Sequence, residues 1–311
     1  VHGDMNGVQI TGLANLAGGT MRGVQLAGIS NISGDNTVGL SAAGLVNITG
    51  DKAQGVVISG LTSIGGDNNS GLMISGFMNV TGNMASGLHF SGIANITGQS
   101  FGGLMASGLL NVVGEHMNGL QIAGIANITA SKLNGVQVAL CNYATKARGL
   151  QIGLVNYYKE DMKGFQLGLV NANPDTKVQM MVYGGNATPA NIGVRFKNQL
   201  FYTILGVGSM YQGLNDKFSA SASYRAGLSF PLYKGLSISG DLGYQHIEAF
   251  DNKDEVIPKR LYALQARANL EYQFTKKFGI FATGGYGVTR FYNKSSNYDK
   301  GAIIEAGIVL F

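Results

Sequence analysis

The 311-residue chain has one cysteine, no tryptophan, four prolines and few charged residues, and each shortage excludes a class of protein. A single cysteine excludes an internal disulfide framework and a cysteine-rich zinc site. The shortage of proline excludes collagen. No run approaches about 18 uninterrupted apolar residues, so the sequence predicts no transmembrane helix. Charged residues make up 13% of the chain and the net charge of +5 is scattered, which argues against nucleic-acid binding.

Glycine is in excess, with 48 residues, and 45% of residues are hydrophobic. Frequent glycine disfavours helix interiors, whereas the apolar content suffices for a core and argues against disorder. Charge divides the chain: residues 1–135 contain three basic and five acidic residues, and the other 19 basic and 12 acidic residues follow them. This boundary suggests two different architectures.

Glycine recurs every 16 residues in the first half. One series runs from Gly7 to Gly135, a second from Gly12 to Gly124 and a third from Gly18 to Gly114. Asparagine recurs between the second and third series, with Ser63 at one position, and later copies of the unit begin at Gly149 and Gly164. A fixed period of this kind is typical of repeat architectures.

Apolar and polar residues alternate within each unit, as in a strand. Two short strands and glycine corners in 16 residues predict one coil of a β-solenoid, whose coils stack about 4.8 Å apart. We expect the column that contains Leu40, Val56 and Leu72 to point inward and the asparagines to form a hydrogen-bonded ladder. In the alternative interpretation, each unit is one strand of a single large β-barrel. Neighbouring strands of such a barrel run in opposite directions, so the sequence repeat would be expected to span two strands rather than one.

Aromatic-ended alternating segments follow residue 177. Tyr262, Leu264 and Tyr272 share an apolar face, which is typical of an outer-membrane barrel with two aromatic girdles. Tight turns at 197–199, 233–235 and 275–277 alternate with longer polar connections at 212–217, 249–260 and 293–300. The predicted strands are 178–184, 191–197, 200–211, 218–230, 236–248, 261–274, 278–292 and 302–311.

The predicted fold class is therefore all-β: an N-terminal β-solenoid of 16-residue repeats (1–173) and a C-terminal eight-stranded antiparallel outer-membrane β-barrel (178–311). Eight strands enclose little more than side chains. The charges that face this interior are expected to pair and to close the lumen rather than to line a pore. They are Arg195, Arg225, Asp241, Arg267, Glu271 and Glu305.

The units GLQIGLVNYYKEDMKGFQLGLVN (149–171) resemble those of the bacterial surface-repeat outer-membrane proteins. The later segments RLYALQARANLEYQF and GAIIEAGIVLF are similar to the C-terminal barrel of the same group. The regular 16-residue spacing departs from the 14–15-residue spacing of the GLQIGLVN type. The resemblance implies the outer membrane of a Gram-negative cell and no enzymatic activity.

Candidate chemistry is sparse. His246, near Glu248 at the outer end of a barrel strand, is the best enzymatic candidate, because some eight-stranded barrels are lipid-modifying hydrolases, but an interfacial histidine is favoured. Cys141 is expected to be a buried thiol. The Gly-Gly-Asp-Asn-Asn-Ser-Gly segment at 65–71 resembles calcium loops, but its aspartate does not recur in every coil. The sequence therefore predicts no catalytic, metal or cofactor site.

One partner surface is predicted on the repeats. Val57, Met73, His89 and Met105 occupy positions that are Gln9, Gln25 and Gln121 in other coils, and we expect them to form an apolar patch facing solvent. The leading hypothesis is a non-enzymatic outer-membrane protein, with outer-membrane lipid around its barrel and a repeat scaffold, periplasmic or surface-exposed, that binds a partner protein or glycan. The alternatives are a wide-barrel porin and a lipid-modifying barrel enzyme.

Overall fold

Strands form all the regular secondary structure in the part of the chain that the structure describes. The computed structural model describes residues 3–209, 218–250, 260–292 and 297–310, which are all-β, and it divides the chain into two compact units, Val1–Gly168 and Leu169–Phe311. Within the described residues, no helix has the length and apolar character needed to cross a membrane.

The first unit is a parallel β-solenoid of about ten turns. Long and short strands alternate: β1 (Met5–Thr11), β2 (Ala14–Ala17), β3 (Met21–Ala27), β4 (Ser30–Ser33), β5 (Thr37–Ala43), β6 (Val46–Thr49), β7 (Ala53–Ser59), β8 (Thr62–Gly65), β9 (Asn68–Ser75), β10 (Met78–Thr81), β11 (Met84–Ser91), β12 (Ala94–Thr97), β13 (Ser100–Ser107), β14 (Leu110–Val113) and β15 (His116–Ala123). Three longer strands follow: β16 (Ala126–Val138), β17 (Cys141–Ile152) and β18 (Val155–Leu167).

Each strand pairs in parallel with its equivalent one coil later. The register is 16 residues through β15, as in the pairing of Val57 with Met73, and falls to 15 and 14 along β16, β17 and β18, where the register shifts. The parallel pairing contradicts the wide-barrel alternative, in which neighbouring repeats would be antiparallel staves. The solenoid prediction is confirmed.

A glycine of positive φ bends every long strand. Gly55, with φ of +120°, is representative, and its equivalents recur from Gly7 to Gly164. A Cβ on Gly55 would overlap the carbonyl oxygen of Gly39 in the preceding coil. The 16-residue glycine period therefore reflects both a left-handed backbone and the close approach of stacked coils.

Amide side chains fill the interior of the coils. The asparagine ladder is continuous from Asn79 to Asn156. Asn95 is representative: its Nδ2 donates to Asn111 Oδ1 at 3.0 Å and to the Ala106 carbonyl oxygen at 2.8 Å. A glutamine column stacks in the same way from Gln121 to Gln166. Since each amide meets the next coil, burial leaves these groups paired.

The prediction that Leu40, Val56 and Leu72 point inward was wrong. These residues pack only partly and lie on the outer surface, because strand alternation places their neighbours inside. A coil of 16 residues leaves a narrow interior, which is filled mainly by alanine, serine, threonine, asparagine, glutamine and methionine, with a few larger residues such as Phe101 and Leu133.

The second unit is a closed antiparallel barrel of eight strands. A short strand, β19 (Val170–Ala172), precedes it. The barrel strands are β20 (Lys177–Gly185), β21 (Ala190–Asn198), β22 (Phe201–Ser209), β23 (Ser219–Tyr233), β24 (Leu236–Ala249), β25 (Arg260–Thr275), β26 (Phe278–Phe291) and β27 (Asn297–Leu310). β20 pairs with β27 and closes the barrel. The eight-strand prediction is confirmed, although the last strand begins five residues earlier than expected.

Three two-residue turns join strands at one end of the barrel, which we call the tight-turn end. Gln199, Lys234 and Gly235 adopt positive φ there. The opposite end, the loop end, carries the other connections. Residues 210–217, 251–259 and 293–296 lie outside the described residues, and with them most of the predicted polar loops.

β19 lies in the second compact unit but is not one of the eight barrel strands, and the sequence assigned residues up to 173 to the repeats. Thr203, which is fully buried, donates from its hydroxyl to the Leu169 carbonyl oxygen at 3.0 Å. Asn198 Nδ2 donates to the Asn171 carbonyl oxygen at 2.5 Å. The segment therefore lies against the tight-turn end of β21 and β22.

Candidate functional site

The barrel interior holds three arginines paired with three carboxylates. Arg195 binds Glu271 through both terminal nitrogens, at 2.6 and 3.0 Å. Arg225 binds Asp241 through Nε and Nη2, both at 2.8 Å. The third pair, Arg267 and Glu305, is bidentate at 3.1 Å. The six residues predicted to face the lumen therefore lie there, all buried, as three bidentate pairs.

Neutral side chains add hydrogen bonds to the central pair, whereas Arg225 Nη1 has no hydrogen-bond partner and lies 3.6 Å from Glu305 Oε2. Asp241 Oδ2 accepts from the Tyr202 hydroxyl and from Asn269 Nδ2, each at 2.8 Å. Asn269 Oδ1 accepts from Arg225 Nη2 at 3.1 Å and from the Thr283 hydroxyl at 2.6 Å. Sequence reasoning missed Tyr202 and Asn269 as members of this network. Both residues occupy inward-facing positions in strands of alternating polarity, and that alternation is the sequence feature that could have identified them.

The ion pairs separate two cavities. A cavity of about 340 Å³ opens at the loop end, where Asn186, Gln265 and Lys300 are among its lining residues. A cavity of about 390 Å³ opens at the tight-turn end, beside Gln179 and Lys197. The three ion pairs between them carry no net charge and are buried, so side chains rather than a channel occupy this part of the lumen.

The barrel exterior is apolar along its middle and aromatic at its ends. Its exposed aliphatic residues include Val194, Val207, Leu242, Leu264 and Ile304. At the loop end, the rings of Tyr262 and Tyr292 lie 5.1 Å apart and those of Tyr244 and Tyr262 lie 6.2 Å apart. At the tight-turn end, the ring of Phe274 lies 4.8 Å from Tyr272 and 6.0 Å from Phe278. This distribution is typical of a lipid-facing surface with two interfacial girdles.

His246 is part of the loop-end girdle. Its Nδ1 lies 2.7 Å from the Tyr292 hydroxyl, which is also hydrogen-bonded to the Tyr244 hydroxyl. Glu248, its sequence neighbour on the same face, accepts from Arg260 Nε at 3.2 Å. The structure therefore places His246 among tyrosines on the outside of the barrel, with its nearest predicted acid engaged by an arginine.

The predicted partner surface on the repeats was wrong. Val57, Met73, His89 and Met105 form one column through successive coils, and their exposed fractions are 5%, 2%, 1% and 0%. The column is the central part of the glutamine column, where apolar residues replace the amides. Strand alternation puts these positions inside the coil, where Met105 packs in a cluster with Phe101 and Met117.

His89 is the one ionisable residue of that column. Its ring meets Phe101 edge to face at 4.9 Å between centroids, and its Nε2 has no hydrogen-bond partner. Burial lowers the pKa of His89 to about 4, because the charged imidazolium would lose its hydration without gaining a partner. At neutral pH the repeat unit therefore contains a neutral, buried histidine.

Cys141 is exposed, contrary to the expectation of a buried thiol. It pairs in register with Ala126 on the outer face of its coil. Asp67, in the loop that resembles calcium sites, accepts hydrogen bonds from Asn68 and Asn83. Among the residues that the structure describes, no three histidine, cysteine, aspartate or glutamate side chains come together as a metal site.

Comparison with solved structures gives four matching chains. No protein-family model matches the chain, and no curated protein sequence matches it. The chain is similar to the N-terminal β-barrel domain of OprF from Pseudomonas aeruginosa, with 16% identity over 43% of this chain and 93% of that one, at a TM-score of 0.29. Membership of the surface-repeat group therefore stays a prediction.

Proposed function

We propose that this chain is a non-enzymatic outer-membrane protein in which a sealed barrel anchors a rigid repeat scaffold for a partner protein or glycan. The observation that carries the anchor is the inversion of polarity across the barrel wall: aliphatic residues such as Leu264 face out, and Arg225 and Asp241 face in. A closed barrel satisfies its backbone within the wall, as a bilayer requires.

The anchor is tested by placing a charge on the outer wall. Ala268 faces outward near the middle of β25, and Phe274 faces outward in the girdle near its end. We expect Ala268→Lys to cost about 2–4 kcal/mol and Phe274→Lys about 0–1 kcal/mol, since the penalty depends on depth in the bilayer. The readouts are recovery in the outer-membrane fraction and the mobility shift of the unheated barrel in gels. Equal recovery of both variants would contradict a bilayer location.

We expect no transport function, because buried ion pairs occupy the lumen. The unmodified chain, reconstituted in a planar bilayer, is expected to give no ion conductance. Steady conductance would favour the porin alternative. The enzyme alternative has its own test: His246→Ala is expected to leave the lipid profile of the cells unchanged, and an altered profile would overturn the non-enzymatic proposal.

The scaffold part of the proposal draws on a polar row at one turn of the repeats. Backbone hydrogen bonds join the equivalent residues Asp35, Asp51, Asp67, Asn83 and Gln99 from coil to coil. Such a row repeats carboxylates and amides at about the 4.8 Å coil spacing, and these groups suit hydroxyl-rich or basic ligands. A photo-crosslinking residue at Asn83 or Gln99 is expected to give discrete adducts in cells. Adducts equal to those from a lipid-facing control at Leu264 would contradict it.

A further inference from the structure

The outer surface of the repeat unit, the compact unit Val1–Gly168, is divided into a charged edge and an apolar edge. Residues 1–168 include seven acidic and seven basic residues. In each coil, these charged residues lie in the turn after the glycine of the third series, or between that turn and the positive-φ glycine of the next long strand. They are Asp4, Arg22, Asp35, Asp51, Lys52, Asp67, Glu115, Lys132, Lys146, Arg148, Lys159, Glu160, Asp161 and Lys163.

The opposite side of every coil is apolar. In one coil, Val56 and Ile58 on the long strand, Leu61 at the corner and Ile64 on the short strand all point outward, and the last three are 39%, 47% and 39% exposed. We call this surface the apolar edge. Its corner column contains a large apolar residue in ten successive coils: Leu13, Ile29, Leu45, Leu61, Phe77, Ile93, Leu109, Ile125, Leu140 and Leu154.

The apolar edge is far larger than isolated exposed leucines would explain. About ten coils at a spacing of about 4.8 Å make it about 48 Å long, and it wraps around the corner onto both faces. Exposed apolar patches of this extent mark binding surfaces or contact with lipid. The smaller side chains that interrupt it, such as Ser30, Ala42 and Thr62, are uncharged.

On the apolar edge, the N–H and C=O groups of the corner residues are hydrogen-bonded between coils. At the corner, Leu45 N donates to the Ile29 carbonyl oxygen at 2.9 Å, and Leu61 N donates to the Leu45 carbonyl oxygen at 2.9 Å. The same bond continues through Phe77, Ile93, Leu109 and Ile125. Turns normally expose unpaired backbone groups, which hydrocarbon does not tolerate. Here each corner is paired with the coil before it and the coil after it.

The shape of this surface favours a fluid partner over a protein. Protein interfaces surround an apolar centre with a polar rim, and their affinity depends on pockets that fix one register. The apolar edge repeats the same row at every coil and has its charges only on the far side of the rod. We infer that the repeat unit is monotopic, with its apolar edge buried in the acyl chains of a lipid leaflet and its charged edge in water.

This inference rests on the proposed function in one respect, that the barrel holds the chain at a bilayer. It resembles the binding of interfacial amphipathic helices, in which affinity follows the apolar area that enters the lipid. The difference is that the solenoid edge is preformed, since its interior is held by the amide ladders.

The test measures depth in the bilayer at single labelled cysteines of the full chain, reconstituted in dioleoylphosphatidylcholine vesicles. A Cys141→Ser background carries Leu61→Cys on the apolar edge, Ser86→Cys on the charged edge or Leu264→Cys on the barrel wall. A fluorescent maleimide at each is exposed to a doxyl-lipid quencher and to aqueous iodide. The unsubstituted chain provides a further probe that leaves the fold unchanged, because Cys141 itself is exposed on the apolar edge.

We expect doxyl lipid to quench the labels at Leu61→Cys and Cys141 severalfold more than the label at Ser86→Cys, and iodide to show the reverse order. Iodide quenching of the apolar-edge labels equal to that of Ser86→Cys would overturn the inference. So would protection from both quenchers, the result expected if a second copy or another protein covers the edge. The Leu264→Cys label separates the two proposals. If doxyl lipid quenches this label and none of the apolar-edge labels, the barrel anchor stands and the monotopic inference is overturned. If doxyl lipid does not quench the Leu264→Cys label, the anchor itself is refuted.

Discussion

The sharpest prediction concerns the buried imidazole of His89. Its pKa is lowered from 6.5 to about 4 by burial, and its Nε2 has no partner. As pH falls below 6.5, the unfolded repeats take up a proton that the folded repeats refuse until the pH nears 4. Stability from this group is therefore fully present above pH 6.5 and is lost between pH 6.5 and 4.

The magnitude follows from the two pKa values. Linkage gives a loss of about 2 kcal/mol at pH 5 and about 3 kcal/mol at pH 4, relative to pH 7.5. At pH 5 this corresponds to an opening equilibrium about thirtyfold more favourable for the coils that contain His89. Equivalent positions elsewhere avoid the problem, since Gln121 accepts from the Thr129 hydroxyl at 3.1 Å and is paired with Gln137.

The assay is amide hydrogen exchange by mass spectrometry on the full chain in detergent micelles, at pH 7.5 and 5, with intrinsic exchange rates corrected for pH. Peptides across 84–97 are expected to lose protection at pH 5. His89→Met, which extends the column between Met73 and Met105, should abolish that difference. His116→Gln, at the exposed first residue of β15, should not. A pH response that survives in His89→Met would refute the reasoning.

Three further predictions follow from the packing. Asn95→Ala leaves amide and carbonyl partners unpaired and is expected to cost about 1–3 kcal/mol per orphaned group, measured as lost exchange protection in the adjoining coils. Gly87→Ala meets a positive φ and the carbonyl oxygen of Gly71 in the preceding coil, so circular dichroism should show loss of the solenoid, whereas Gly102→Ala, with open space around it, should fold normally. Asp241→Asn removes the bidentate partner of Arg225 and leaves only Glu305, at 3.6 Å; it is expected to cost about 3–5 kcal/mol in urea unfolding of the barrel, while Arg225→Met with Asp241→Leu should recover most of it.

The elements of this fold were predictable because their signals are periodic. The glycine spacing fixed the coil length, since only glycine permits the close approach at Gly55 and its equivalents. The alternation of apolar and polar residues, together with the tight turns, predicted the barrel strands. The charged residues on the polar face of each strand were then the ones predicted to point inward. Tyr202 and Asn269 were missed because their roles depend on which side chains meet across the lumen, and that depends on register between distant strands.

The orientation of the solenoid strands was not predictable by the same route. Alternation identifies two faces, and the choice between them was made by placing the apolar face inside. That rule fails where the interior amides pair with one another, as Asn95 and Asn111 do, and where the outer face meets something other than water. The column from Val57 to Met105 added to the error, because apolar residues at otherwise polar positions look like a surface patch.

The distribution of charge would have decided the orientation. A charged residue without a partner cannot be buried away from water. Columns that contain no charged residue in any coil are therefore either inside the coil or in contact with an apolar phase. In the repeats, both the asparagine column and the corner column of Leu45 and Leu61 lack charge throughout. Of these two columns, only the asparagine column requires hydrogen-bond partners at every coil. Stacking of the coils supplies those partners when the column lies in the interior of the solenoid. The aliphatic column is then left on the outside, and its freedom from charge over ten coils is what contact with a lipid leaflet would favour.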